Sequence, residues 1–138
     1  MSRLPVWVAA LWWVSLSVLG FLVVPMLFVH LPTPAMAGGM AARLFTAQTW
    51  MSTVCALFLL LQTRSSRTLN PEDGAREAAM FMVAGMLLAL LVEFAVAPRI
   101  VARENLRVWH GVGSLMYALQ WLCAAAVFWK LTGLRAST

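Results

Sequence analysis

The sequence predicts an all-α membrane protein, a four-helix transmembrane bundle that forms one domain over residues 1–138. Three observations lead there. Hydrophobic residues make up 62% of the chain and charged residues 11%, with a mean hydropathy of +0.84, whereas a soluble domain carries about 25% charged residues. The apolar residues gather in four runs, each close to the roughly 20 residues a helix needs to cross hydrocarbon. So short a chain could not bury this much apolar surface in a water-soluble core.

The spans are expected at 6–29, 41–62, 78–97 and 108–131. The first is broken only by Pro25, which should kink it by freeing a carbonyl one turn earlier. A Pro/Gly stretch, HLPTPAMAGG, separates it from the second. A polar stretch, TRSSRTLNPEDGARE, follows the second, and its Asn70-Pro71-Glu72-Asp73-Gly74 reads as a turn leading into an acidic helix start. The basic loop PRIVAREN joins the third span to the fourth. Such short connections predict antiparallel neighbours. The ends of the first and third spans echo each other in Val24-Pro25-Met26 and Ala97-Pro98-Arg99, as two related hairpins would.

Orientation follows from the basic residues. One set of segments carries Arg3, Arg64, Arg67, Arg76, Lys130 and Arg135; the other carries Arg99, Arg103 and Arg107, with Arg43 at its edge. The bias predicts that the N- and C-termini are both cytoplasmic. The net charge of +5 and pI near 10.7 then point to anionic headgroups and not to nucleic acid. Ala35-Met36-Ala37 before Gly38 has the small-residue pattern of a signal-peptide cleavage site. The preceding apolar run is longer than a signal's, and Pro32 and Pro34 crowd the bond, so the segment is expected to remain as a span.

Four ionisable side chains fall at one depth: His30, Arg43, Glu93 and His110. A charge in the bilayer costs roughly 2.5–3.5 kcal/mol on insertion scales, so each is a candidate functional group. Glu93 is flanked by apolar residues and should face inward, on a stripe with Met82, Gly85 or Met86, Ala89 and Ala97. Arg43 is its expected ion-pair partner, with Arg99 competing; alternatively Arg43 snorkels to the headgroups. His110 heads a polar stripe of Gly113/Ser114, Tyr117, Gln120/Trp121 and Ala124. His30, His110, Ser114 and Tyr117 are therefore the candidate ligand- or cofactor-binding residues. Two imidazoles at one depth suit a metal ion or the two faces of a haem, unless each is an interfacial hydrogen-bonder. Cys55 and Cys123, both near mid-bilayer, are weaker metal candidates, for copper(I) or zinc, and otherwise apolar filler. Gln48, Ser52 and Cys55, and likewise Ser15, Ser17 and Gly20, read as packing and interhelical hydrogen-bonding faces. No phosphate loop, dinucleotide fingerprint, catalytic triad or HExxH motif occurs, and no catalytic residue is assigned.

Pro25, Leu27 and Phe28, then Ala37, Gly38, Gly39, Leu44 and Phe45, with the LRVWHGVGSLMY opening of the last span and its His110 and Ser114, make a pattern over nearly the whole chain. It resembles the bacterial four-helix membrane proteins of unknown function related to eukaryotic transmembrane protein 205. That family is in turn similar to the copper-resistance D and HemJ-type membrane proteins. The resemblance implies a haem b or copper site inside a four-helix bundle. The expectation is a small inner-membrane protein that binds haem or a metal ion at an outer-leaflet polar pocket. The alternatives are an accessory subunit of a larger membrane complex, or a homodimer, and a HemJ-like porphyrinogen oxidase or transporter. The surrounding partner in every case is the lipid bilayer.

Overall fold

The computed structural model describes residues 3–66 and 73–136. These form four long helices, each long and apolar enough to cross a membrane. The first runs Leu4–His30, the second Pro34–Ser66, the third from Asp73 to Val101 and the fourth Leu106–Ala136. The first helix lies against the second and fourth, and the third against the second and fourth. The result is an up-down-up-down bundle. One end carries both tight connections, 31–33 and 102–105, and is called the loop end; the other carries both termini.

The second helix starts seven residues earlier than its apolar run suggests. Leu31 turns the chain with an extended backbone (φ −82°, ψ 144°). Thr33 then caps the new helix, its Oγ1 accepting the Met36 N–H at 3.2 Å, and Pro34 supplies a first residue that needs no donor. Ala35-Met36-Ala37 and Gly38-Gly39 are thereby helical rather than loop. The other tight turn is less relaxed. Arg103 and Asn105 take positive φ of 57° and 38°, a region that suits asparagine better than arginine.

Between helices in lipid there is no hydrophobic driving force, so close packing of small residues must hold them. The buried positions follow the helical period. They are Ala9, Trp12, Leu16 and Leu19 on the first helix; Ala37, Ala41, Gln48, Thr49, Ser52, Cys55, Ala56 and Leu59 on the second; Ala78, Met82, Gly85, Ala89 and Val96 on the third; Gln120, Ala124 and Val127 on the fourth. Trp12 is the one large ring at the centre, fully buried. Gly85 on the third helix makes its seat: a Cβ there would lie 2.8 Å from Trp12 Cη2. Trp13 stacks on Phe128 (5.6 Å, 17°) and meets Trp121 (6.0 Å), and Phe21 meets Trp121 edge-on, so an aromatic seam joins the first and fourth helices.

Pro25 and Pro98 each sit behind a wide π turn. Leu19–Val23 precedes Pro25 and Val92–Val96 precedes Pro98, each turn beginning six residues before its proline. Val24 N–H reaches Leu19 C=O and Ala97 N–H reaches Val92 C=O, the i→i−5 bonds of a π-bulge. The cause is steric. A proline ring collides with the carbonyl four residues back, and the widened turn displaces that carbonyl. The chain stays helical through Pro25 and Pro98. The sequence echo between the two spans reappears as the same backbone device at the same offset.

Gly85→Leu should force Trp12 out of its seat and lower the stability of the bundle by about 1–3 kcal/mol, the usual cost of overpacking. Thermal unfolding in detergent, followed by tryptophan emission, checks this; an unchanged midpoint and spectrum would contradict it.

Candidate functional site

Two polar features lie inside the bundle. The first is a hydrogen-bonded core at mid-depth. Gln48 Nε2 donates to Ser15 Oγ at 2.9 Å and lies 3.4 Å from Ser52 Oγ. Gln120 Nε2 donates to the same Ser52 Oγ at 3.0 Å. The Ser15 hydroxyl in turn donates to the Trp12 carbonyl at 2.9 Å. Gln48, Ser52 and Gln120 are all buried, so Ser52 ties the second helix to the fourth and Gln48 ties it to the first. Alongside, Trp121 Nε1 donates to Ser17 Oγ at 2.8 Å. Among the described residues the Trp12 and Trp13 indole N–H groups are buried without a partner, a cost of roughly 1–3 kcal/mol for each such group.

Tyr117 completes this core. Its hydroxyl donates to the Leu16 carbonyl at 2.7 Å, so a side chain of the fourth helix bonds the backbone of the first just before its π turn. Gly20 permits the approach, since a Cβ there would stand 2.7 Å from Tyr117 Cε1. Phe45 packs edge-on against the same ring at 5.3 Å.

The second feature is Glu93, in the π turn of the third helix. Thr46 on the second helix donates to it, with Oγ1 2.9 Å from Oε1 and 3.1 Å from Oε2. A hydroxyl has one hydrogen, so these two contacts share a single bond. A carboxylate can accept about four. Glu93 is half-buried, and among the described residues no other side chain reaches it. Among the described residues no side chain bonds the backbone of this second π turn, whereas Tyr117 bonds the first helix just before its own.

The predicted constellation is therefore assembled in part. Arg43 is exposed and makes no ion pair with Glu93; the pair among the described residues is Lys130 with Glu77, at the terminal end. Arg99, the other expected partner, instead lies over the Trp109 ring, 4.3 Å from its centroid. His30 is exposed, and its Nδ1–H donates to its own helix at Met26 C=O, 3.0 Å. His110 and Ser114 are exposed as well. The inward positions they were expected to share belong to Trp109, under Arg99, and to Gly113, where a Cβ would stand 3.3 Å from Val96 Cγ1. Cys55 is buried and Cys123 half-buried, both as free thiols. Among the described residues no three histidine, cysteine or acidic side chains gather as metal ligands. The inward stripe of the third helix contains Met82, Gly85, Ala89 and Glu93 as expected, but ends on Val96 rather than Ala97. Thr46 went unsuspected, although it lies one turn beyond Arg43 on the helix that supplies Gln48 and Ser52.

Residues 7–108 match the model of a domain of unknown function, DUF4149. The chain belongs to the DUF4149 family. No curated protein and no solved structure matches it. The DUF4149 match spans Ser15, Gln48, Ser52, Thr46 and Glu93 and stops at the start of the fourth helix. In this DUF4149 protein that last helix closes the polar core through Tyr117, Gln120 and Trp121.

Ser52→Ala would leave both glutamine side chains short of a partner inside the membrane, and should destabilise by about 1–3 kcal/mol. Replacing Gln48 and Gln120 by leucine in the same background should recover much of that loss, because an apolar trio leaves nothing unsatisfied. Unfolding midpoints of the three proteins in one detergent test the pair of statements. A triple variant weaker than Ser52→Ala would contradict them.

Proposed function

We propose that this protein is a non-enzymatic binding protein of a bacterial inner membrane, with both termini cytoplasmic and Glu93 as its working group. Glu93 and Thr46 receive a cationic group carried by a membrane-soluble ligand that enters from the outer leaflet. One observation carries this reading: an intramembrane carboxylate, half-buried, is met by one shared hydroxyl hydrogen. An ionisable group at that depth faces a partner or a pathway, and a π-bulge in a membrane helix often marks a functional position. The contrast with the first helix adds support. There Tyr117 bonds the backbone just before the equivalent turn; here, among the described residues, no side chain does so, and the turn holds an acid.

A haem b or metal site between His30 and His110 fits the side chains poorly. Both imidazoles are exposed, one nitrogen of His30 is committed to Met26, and no third ligand joins them among the described residues. Distant kinship with transmembrane protein 205 or the HemJ-type proteins would bear on the four-helix frame more than on such a site.

A hydrophobic carbodiimide tests the proposal in membranes, since it reacts with carboxyl groups accessible from lipid. Peptide mass spectrometry should find the adduct on Glu93, and a cationic amphiphile such as dodecyltrimethylammonium should suppress it. Arg43→Gln, which removes the nearest competing cation on the second helix, should lower the amphiphile concentration needed. Absence of labelling at Glu93, or labelling that the amphiphile leaves unchanged, would contradict the proposal.

A further inference from the structure

Toward the terminal end the second and third helices leave a trough on the lipid-facing surface, of about 340 Å³, lined by Leu57, Leu61, Ala79 and Val83 and reaching Arg64. It opens onto the exposed face of the third helix, where Ala79, Met80, Val83 and Leu87 run down from Arg76. Both surfaces are almost wholly apolar.

The two arginines set its chemistry. Neither Arg64 nor Arg76 makes an ion pair or hydrogen bond among the described residues, while the nearby acid Glu77 is already engaged by Lys130. Among the described residues these two guanidinium groups thus stand without a counter-charge where a membrane helix meets the headgroups, beside an apolar trough that runs toward mid-membrane. A guanidinium presents a planar fork of donors that matches phosphate oxygens. Basic pockets between membrane helices are a known way to hold phospholipid headgroups.

We propose that this trough is a binding site for an anionic phospholipid. The phosphate is held by Arg64 and Arg76, and an acyl chain lies along Ala79 and Val83 between the second and third helices. The site is at the opposite end of the bundle from Glu93 and independent of it. Zwitterionic lipids bring an ammonium group into the same basic neighbourhood, so phosphatidylglycerol should be preferred to phosphatidylcholine.

The full-length protein, released from nanodiscs that hold equal phosphatidylglycerol and phosphatidylcholine, can be examined by native mass spectrometry. Phosphatidylglycerol should be retained preferentially, and the double variant R64Q/R76Q should reduce that retention about tenfold or more. R103Q/R107Q, with equal charge removed from the loop end, should retain it as the unaltered protein does. V83W, which fills the trough from an exposed position with both arginines intact, should also lose it. Equal retention of the two lipids would overturn the proposal. So would full retention by R64Q/R76Q or by V83W, or an equal loss in R103Q/R107Q.

Discussion

Inside a bilayer a polar group has only the protein to bond with, and that constraint shapes this bundle at every depth. Its sharpest expression is the Tyr117 hydroxyl on the Leu16 carbonyl. Pro25 lies behind a wide turn, and just before that turn a side chain from another helix bonds the backbone. Tyr117 can come this close because position 20 has no side chain. Sequence, backbone geometry and the contact between the first and fourth helices are one chain of causes here. The Ser15–Gln48–Ser52–Gln120 core extends the same logic to side chains, fixing how the helices are rotated against each other. Small apolar contacts alone would fix that rotation weakly.

The repeated offset of the π turns from Pro25 and Pro98 indicates that the two hairpins share a design, yet they put it to different use. The first turn is closed off and contributes to the interior. The second carries Glu93, leans on Thr46 and keeps most of its acceptor capacity free. Two equivalent backbone features, one sealed and one open, make Glu93 hard to explain as packing. Arg43, placed one turn nearer the loop end and exposed, is in a position to screen the acid electrostatically without bonding to it.

The helices, their order and several of the residues that face inward were legible in the sequence because hydropathy and period record them directly. Gly85, Ala89, Gln120 and Ala124 fall where spacing alone puts them. The inward position of Glu93 was legible for the same reason. Its partner was not. Arginine is the obvious counter-charge in a list of residues, but a long side chain near the headgroups gains more by reaching water than by entering the bundle. A threonine one turn deeper can donate at little cost in side-chain entropy. His110 and Ser114 were misplaced by a single position. Spacing from Gly113, Tyr117 and Gln120 admits either residue 109 or 110 at the helix start, and the stacking of Arg99 on Trp109 decides between them. The early start of the second helix was hidden by Gly38-Gly39, which read as loop until the Thr33 cap and Pro34 are considered together.

The central claim is that Glu93 is held by a hydroxyl and not by a counter-charge. Solid-state NMR of isotopically labelled protein in bilayers addresses it directly, through the neighbours of the Glu93 carboxyl carbon. The account predicts a through-space correlation from that carbon to Thr46 Cβ. A correlation to the Arg43 guanidinium carbon, with none to Thr46, would contradict it.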